Sequence, residues 1–505
     1  MKKIGFIIVL LAAGLTVRGQ QFKSKLSADQ RRQEVILLQK SLVSLHPGLY
    51  RYHTPGEIDN YFNELQQKVS GAITDQAYFI LLSQLATKIK CGHTYLNPWN
   101  QKRDVINDYF STSYIPFLYR VVDKKFIITH NLSEHPGVRE GDEMISINGI
   151  AVQAIFDSLW TVSRSDGNNG QGKKSDNMNI VPIDIDTGNY AMFDIFFPLF
   201  FPQNFDAASY RIEIRSAKGK RGIITARSLS KKEREQVYVS RFGKIPMHEE
   251  NWAFRLLNPE TAYFRIGDFE TWDWKTDYKG YLDSVFKVLT RDHTPNLVID
   301  IRGNEGGDDE ARDELLSYII DKPFGCENPT RRLYRFLSIP DTLMPYLRTW
   351  EKEAKQPKKA TEYTKTAEGF YEKNEAIQKP CRPVDPKPGV FKGKVFLIVN
   401  SNNSSTTFTL ADIVQVNRRG KIIGEQTGGT KQGLNGGKFL LLNLPYSKIE
   451  MDIPIIWQAP TTARQDEGIV PDYVVPETQK DIARRHDAQL SFILNLISKQ
   501  KTQHK

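Results

Sequence analysis

The chain has 505 residues, of which 40% are hydrophobic, 25% charged and 11% aromatic, with a formal net charge of +10. That is more chain than one average domain uses, and its apolar content excludes a mostly disordered or collagen-like polymer. The positive excess is spread along the length, with no dense basic stripe, RNA-recognition signature or paired-cysteine zinc finger, so no nucleic-acid partner is expected.

Lys2 and Lys3 precede an apolar run from Ile4 to Leu15, followed by Val17-Arg18-Gly19. Residues 1–19 therefore read as a secretory signal peptide, the run being short for a membrane span. An uncleaved anchor is the alternative. No later stretch is long and apolar enough to span, so the mature chain is expected in the periplasm or outside the cell, with no membrane span. Residues 20–100 read as helical. Val35, Ile36, Leu38, Leu42 and Leu45 share one face, Pro47-Gly48 breaks the run, and further helices are predicted over Gly56–Val69 and Thr74–Lys90. Gly92 then stands where a helix end favours a left-handed residue.

Residues 101–160 are strand-rich, with a tight turn at Asn148-Gly149. Thr161–Asp186 reads as a polar loop, and alternation resumes at Tyr210–Ile214, so 161–250 is taken as a β-rich linker region. From residue 251 to 480 strands and helices alternate. Tyr263–Ile266, Leu297–Ile301, Val395–Val399 and Ile422-Ile423 are the strands. Tyr278–Leu289, Ala311–Ile320 and Thr406–Val416 are the helices. Residues 326–387, charged and aromatic, interrupt this pattern as an insertion that could cover a site, and 481–505 form a C-terminal helix and tail. The three cysteines are Cys91, Cys326 and Cys381. An odd number leaves at least one unpaired within the chain, and Cys326–Cys381 as a bridge or as two thiols are equal readings.

Three segments could carry chemistry. In Val399-Asn400-Ser401-Asn402-Asn403-Ser404-Ser405-Thr406 a buried strand turns into a helix, so a serine there meets unpaired amides and the positive end of the helix dipole. Such a serine suits a nucleophile, although taken alone Ser404 or Ser405 reads first as a helix cap. Asp300-Ile301-Arg302-Gly303-Asn304-Glu305-Gly306-Gly307 is a second strand–turn–helix. Without a following Gly-Lys-Ser/Thr it is no phosphate loop, which leaves an oxyanion loop or a plain glycine turn. His93, in Gly92-His93-Thr94, could be a base or a charge at a helix end. The nine histidines are scattered and no cysteine pair occurs, so neither a metal nor another cofactor is expected.

Together with Gly424-Glu425-Gln426-Thr427-Gly428 and Gly468-Ile469-Val470-Pro471-Asp472, these segments, in this order, resemble the S41 peptidases, the C-terminal-processing and tricorn-core serine peptidases. The resemblance covers about Asn251 to Val475 well and the helical start more weakly. Gly137 to Val152 also resembles the glycine-bounded strand pair of a PDZ-type domain. The family implies an α/β fold: a ClpP/crotonase-like βα superhelical catalytic core, preceded by an N-terminal helical domain and a PDZ-like β-rich segment.

The resemblance also implies roles. Ser405 aligns with the nucleophile better than Ser404, and the amides of Thr406 and Gly306 would form the oxyanion hole. The base is His93 in tricorn-like members or a lysine near Lys431 in processing proteases, and His93 matches more cleanly. The family's supporting Glu falls at Gln465, so Asp466 or Glu467 must serve, with Glu467 taken here. The acidic residue usual after the nucleophile is Phe408. The implied function is a secreted serine endopeptidase or carboxyl-terminal-type peptidase acting on peptides or unfolded protein. The departures keep a second reading open, a catalytically degenerate relative that binds peptides or hydrophobic ligands. An acyl-CoA enzyme of the same fold is a third, opposed by the secretion signal.

Overall fold

The computed structural model describes residues 24–168, 170–245, 247–374 and 381–503, so the expected signal peptide lies outside the described residues. The first helices run Ala28–Leu45, Pro55–Ser70 and Asp75–Lys88. Ser27 and Thr54 each start one by accepting from the backbone three residues on, while Gln30 and Glu57 reach back in capping boxes. Val35, Leu38, Leu42 and Leu45 are fully buried, but Ile36 is 45% exposed, one step off the apolar face. The left-handed residue after the third helix is Lys90, at φ 58, not Gly92. Gly92 is required for another reason: a Cβ there would lie 2.6 Å from Asp166 Oδ2.

These helices do not form an independent domain. Their buried face is shared with the antiparallel hairpin Phe439–Asn443/Glu450–Pro454 and with Phe336, Ile339 and Leu343 of the insertion. The insertion is closed by a Cys326–Cys381 disulfide, so of the two open readings the bridge is the one that forms, and Cys91 is free and buried.

The second unit is an antiparallel sheet in the order Phe117–Val122, Lys125–Asn131, Glu143–Ile147, Ser209–Arg215, Arg221–Arg227. Met144 pairs with Ile214, so strands on either side of the expected 160/161 boundary complete one sheet. Helices Val152–Trp160, Met192–Phe200 and Lys231–Phe242 contribute to its core, where Tyr119 stacks on Phe126 and Phe193 on Phe197. Residues 101–160 and 161–250 are thus one unit, not a β-segment followed by a linker. Asn148 and Gly149 make the expected turn at φ 51 and φ 83.

The third unit is a sheet in the order Tyr473–Val474, Gly420–Gly424, Lys394–Val399, Asn296–Asp300, Thr261–Ile266, Trp252–Asn258. All neighbours are parallel except the last pair. Asn296–Asp300 is buried along its whole length, as a strand covered on both faces must be. Leu297, Ile299, Leu397 and Val399 face helices Tyr278–Arg291, Asp309–Ser317 and Ser405–Val416. Val298, Phe396 and Ile398 face the C-terminal helix Ala488–Gln503. The mixed α/β fold, with its helical start, is the one expected. Among the described residues no helix is long and apolar enough to cross a membrane.

Candidate active site

Strands Asn296–Asp300 and Lys394–Val399 are neighbours, so their carboxyl ends deliver two loops side by side, where open α/β sheets place their sites. Asn403, fully buried, joins the loops: its Nδ2 donates to the carbonyls of Ile301 (2.5 Å) and Asn304 (3.0 Å). Gly303 N–H donates to Asn400 Oδ1 (2.9 Å), Thr407 Oγ1 to Asn304 O (2.9 Å), and Thr406 Oγ1 to Gly307 O (2.8 Å).

Ser404 is the N-cap of the following helix, and its hydroxyl donates to Glu305 O (3.3 Å). Ser405 is the first helical residue, with a left-handed backbone at φ 52. A residue with a Cβ in that region carries strain of order 1 kcal/mol or more, a feature that clusters at functional sites. Ser405 is the less buried of the two, and its Oγ makes no hydrogen bond among the described residues. Gly306 packs directly on it, for a Cβ there would lie 2.8 Å from Ser405 Cβ and 3.0 Å from Thr406 N. Of the two amides expected in an oxyanion hole, Gly306 N–H is already committed to Asn304 Oδ1 (2.9 Å). The amides of Thr406 and Gly307 have no acceptor among the described residues.

Glu305 is clamped by Lys173 (2.9 Å) and Arg164 (2.7 Å). Burial favours its neutral form, but the two cations overcome this and bring its pKa to about 2. Burial pushes Lys173 down, against the pull of Glu305. Arg164 also donates to Gly92 O (3.0 Å) and lies over the Tyr95 ring, so one guanidinium ties the glycine loop to the His93 segment.

On that segment, Gly92 N–H donates to Asp166 Oδ1 (2.9 Å). Thr94 Oγ1 meets His46 Nε2 (2.8 Å), while His46 Nδ1 accepts from Gly48 N–H (3.0 Å). Burial and the Arg51 charge hold His46 neutral, with its pKa at about 3, so Nε2 carries the proton. His93 is also pushed below its ordinary value by burial. Asp166 opposes the shift and Arg164 and Lys173 add to it. Its Nδ1 is buried without a hydrogen-bond partner among the described residues.

His93 and Ser405 line one cavity of about 2350 Å³, with Gly306, Gly307, Thr406, Arg164 and Asp166. Lys431 and Glu467 do not line it. The structure brings them to each other, Lys431 Nζ to Glu467 Oε1 at 2.8 Å. Phe408 is buried against Gly429, where a Cβ would lie 2.5 Å from its ring. The absence of a side chain at Gly429 thus leaves room for the aromatic ring. Among the described residues no group of three His, Cys, Asp or Glu side chains is placed to hold a metal ion.

Residues 260–475 match the sequence model of peptidase family S41. This segment is an S41 peptidase domain, of the serine type, within the longer chain. The S41 match contains Ser405 and Gly306 but not His93, which the N-terminal region contributes. The chain is similar in structure to mature CPAF complexed with lactacystin: 13% identity, 94% of this chain and 98% of that chain covered, TM-score 0.61. Mature CPAF gives 13% identity, coverage of 90% and 94%, and a TM-score of 0.57. At this identity the likeness establishes the fold, and its reach places the helical start and the antiparallel sheet in one architecture with the S41 core. No curated protein matches the sequence.

Arg164, Asp166 and Lys173 were not visible as site residues in the sequence, because charged residues in a polar stretch look like a solvated loop. The available signal was length: Thr161–Asp186 far exceeds the ~12–15 residues beyond which a loop in a compact domain is usually functional.

Proposed function

We propose that this S41 peptidase is a secreted serine endopeptidase or carboxyl-terminal-type peptidase that hydrolyses peptide bonds through an acyl-enzyme on Ser405. The observation that carries the reading is the left-handed Ser405, packed on Gly306 and facing a cavity shared with His93. His93, held neutral by burial, takes the Ser405 proton as Oγ attacks the substrate carbonyl. The uncommitted amides of Thr406 and Gly307 receive the oxyanion, Gly307 replacing the engaged Gly306. Asp166, the largest charge favouring the cation, stabilises the imidazolium. The imidazolium then protonates the leaving amine, and water activated by His93 releases the acid. Glu467 and Lys431, committed to each other, take no part. Export is supported by Lys2, Lys3 and the apolar run after them, and by a disulfide that suits an oxidising compartment. A PDZ-like role, peptide addition to the antiparallel sheet, would use the Arg221–Arg227 edge, since Ile180 and Asn179 occupy the amides of Tyr119 and Val121.

A fluorophosphonate probe on the purified protein tests the reading. Labelling is expected in wild type and lost in Ser405→Ala, with peptide turnover falling by on the order of 10⁴-fold or more. Absence of labelling with retained peptide binding would support the degenerate binder instead.

A further inference from the structure

Three of the seven tryptophans, Trp99, Trp272 and Trp350, are more than half exposed, at 52%, 62% and 61%, and all three line the cavity that holds Ser405 and His93. Large apolar surface left open to water in one place marks a binding site. Trp350 is the one linked to the base. Its ring stands 5.8 Å from that of Phe439, which in turn stands 5.8 Å from the His93 imidazole.

Trp350 belongs to the insertion, yet its segment is firmly held. Leu347 and Arg348 pair with Leu442 and Leu441 of the hairpin. Arg348 forks onto the buried Glu450 at 2.9 and 2.6 Å. Thr349 Oγ1 donates to Phe439 O (2.8 Å), and Glu351 takes the Lys438 ammonium at 3.1 Å. Clamped residues on both sides fix an exposed indole in position, so little side-chain freedom remains to be lost when a ligand docks on it.

We infer that Trp350 and Phe439 form an apolar subsite for a large hydrophobic side chain on the residue immediately after the scissile bond. The inference rests on the proposed peptidase reading. The side follows from the chemistry: His93 gives its proton to the leaving amine, so a wall beside His93 runs along the leaving half of the peptide. The insertion then selects substrate through Trp350.

The test uses fluorogenic peptides that differ only in that residue (Phe, Leu, Ser or Asp), with wild type, Trp350→Ala and Trp350→Phe. Wild type is expected to prefer Phe or Leu over Ser by about 10-fold or more, mostly in KM. Trp350→Ala should flatten the ratio to within about 2-fold, and Trp350→Phe should retain most of it. The preference is read as a ratio between peptides within each variant, so that a general change in Ser405 reactivity cancels. Calorimetric affinities of the same peptides for Ser405→Ala, with and without Trp350→Ala, read the subsite without turnover. If the chemistry fails but these affinities show the same loss, the subsite stands without the peptidase. A preference that survives Trp350→Ala in the assays, or a wild type indifferent to the residue, overturns the inference.

Discussion

Ser405 and its glycine loop stand on neighbouring parallel strands, zipped together by short hydrogen bonds from Asn403, Thr406 and Thr407. His93 stands on a segment held by His46, Arg164 and Asp166, which come from other parts of the chain. The geometry of the proposed nucleophile is thus built by the S41 core itself, while the proposed base depends on the docking of separate elements. A site arranged this way should lose its nucleophile by steric change within the core, and its base by electrostatic change at a distance.

Among variants that keep both Ser405 and His93, the largest effect should come from Gly306→Ala. The added Cβ meets Ser405 Cβ at 2.8 Å and Thr406 N at 3.0 Å, at φ 123 where L-residues are strained. Either the loop retreats or Ser405 shifts, and the oxyanion donors lose their aim. A fall in kcat/KM of about 10²- to 10³-fold is expected. Gly303→Ala is the control. Its φ of 77 is also left-handed, but the nearest atom to the new Cβ is Arg265 Nη2 at 3.8 Å. It should lose about 1 kcal/mol in chemical denaturation and keep most activity. Equal losses in the two variants would mean that backbone strain, not contact with Ser405, governs the loop.

The base half is probed through pH. Asp166→Asn keeps an oxygen for Gly92 N–H but removes the charge that raises the His93 pKa. That pKa should fall further, moving the acid limb of the kcat/KM profile to lower pH and cutting the plateau by about 10-fold as the imidazolium loses support. Arg164→Met removes a cation that lowers the same pKa, so its acid limb should move to higher pH. Opposite displacements of one limb would tie both residues to His93, because a merely structural defect has no reason to produce that sign pattern. A common displacement would sever the link.

The same contrast decides what could be read from the sequence. The helices, the buried strands and the Ser405 turn follow from local spacing, and five short segments in order pointed to the S41 core. The antiparallel sheet was divided wrongly because Met144 meets Ile214 across a long connection that no local pattern encodes. Gly306 packs on Ser405, but the direction of its amide, expected in the oxyanion hole, was not legible, since it depends on the side chain of Asn304. Arg164, Asp166 and Lys173 escaped notice for the reason they matter. Asp166 and Lys173 are buried and Arg164 half-buried by tertiary packing, and apart from the length of their stretch nothing in the sequence tells such charges from a solvated loop.

The smallest effect should be that of Lys431→Met, which asks whether the core carries a base of its own. Lys431 lies close to the lysine position of processing proteases, so a core-only dyad with Ser405 was a real alternative. Its ammonium is instead committed to Glu467 at 2.8 Å, and neither side chain lines the cavity. The side chains are 18% and 32% exposed, so the pair should contribute no more than about 1 kcal/mol to stability. Lys431→Met should therefore leave kcat/KM within about 3-fold of wild type, while His93→Ala should lower it by on the order of 10³-fold or more. If Lys431→Met fell as far as Ser405→Ala, the nucleophile and its base would both belong to the core, and the contrast between the two halves of the site would collapse. If only His93→Ala does so, the N-terminal helices are part of the catalytic machinery, because they carry the segment on which His93 stands.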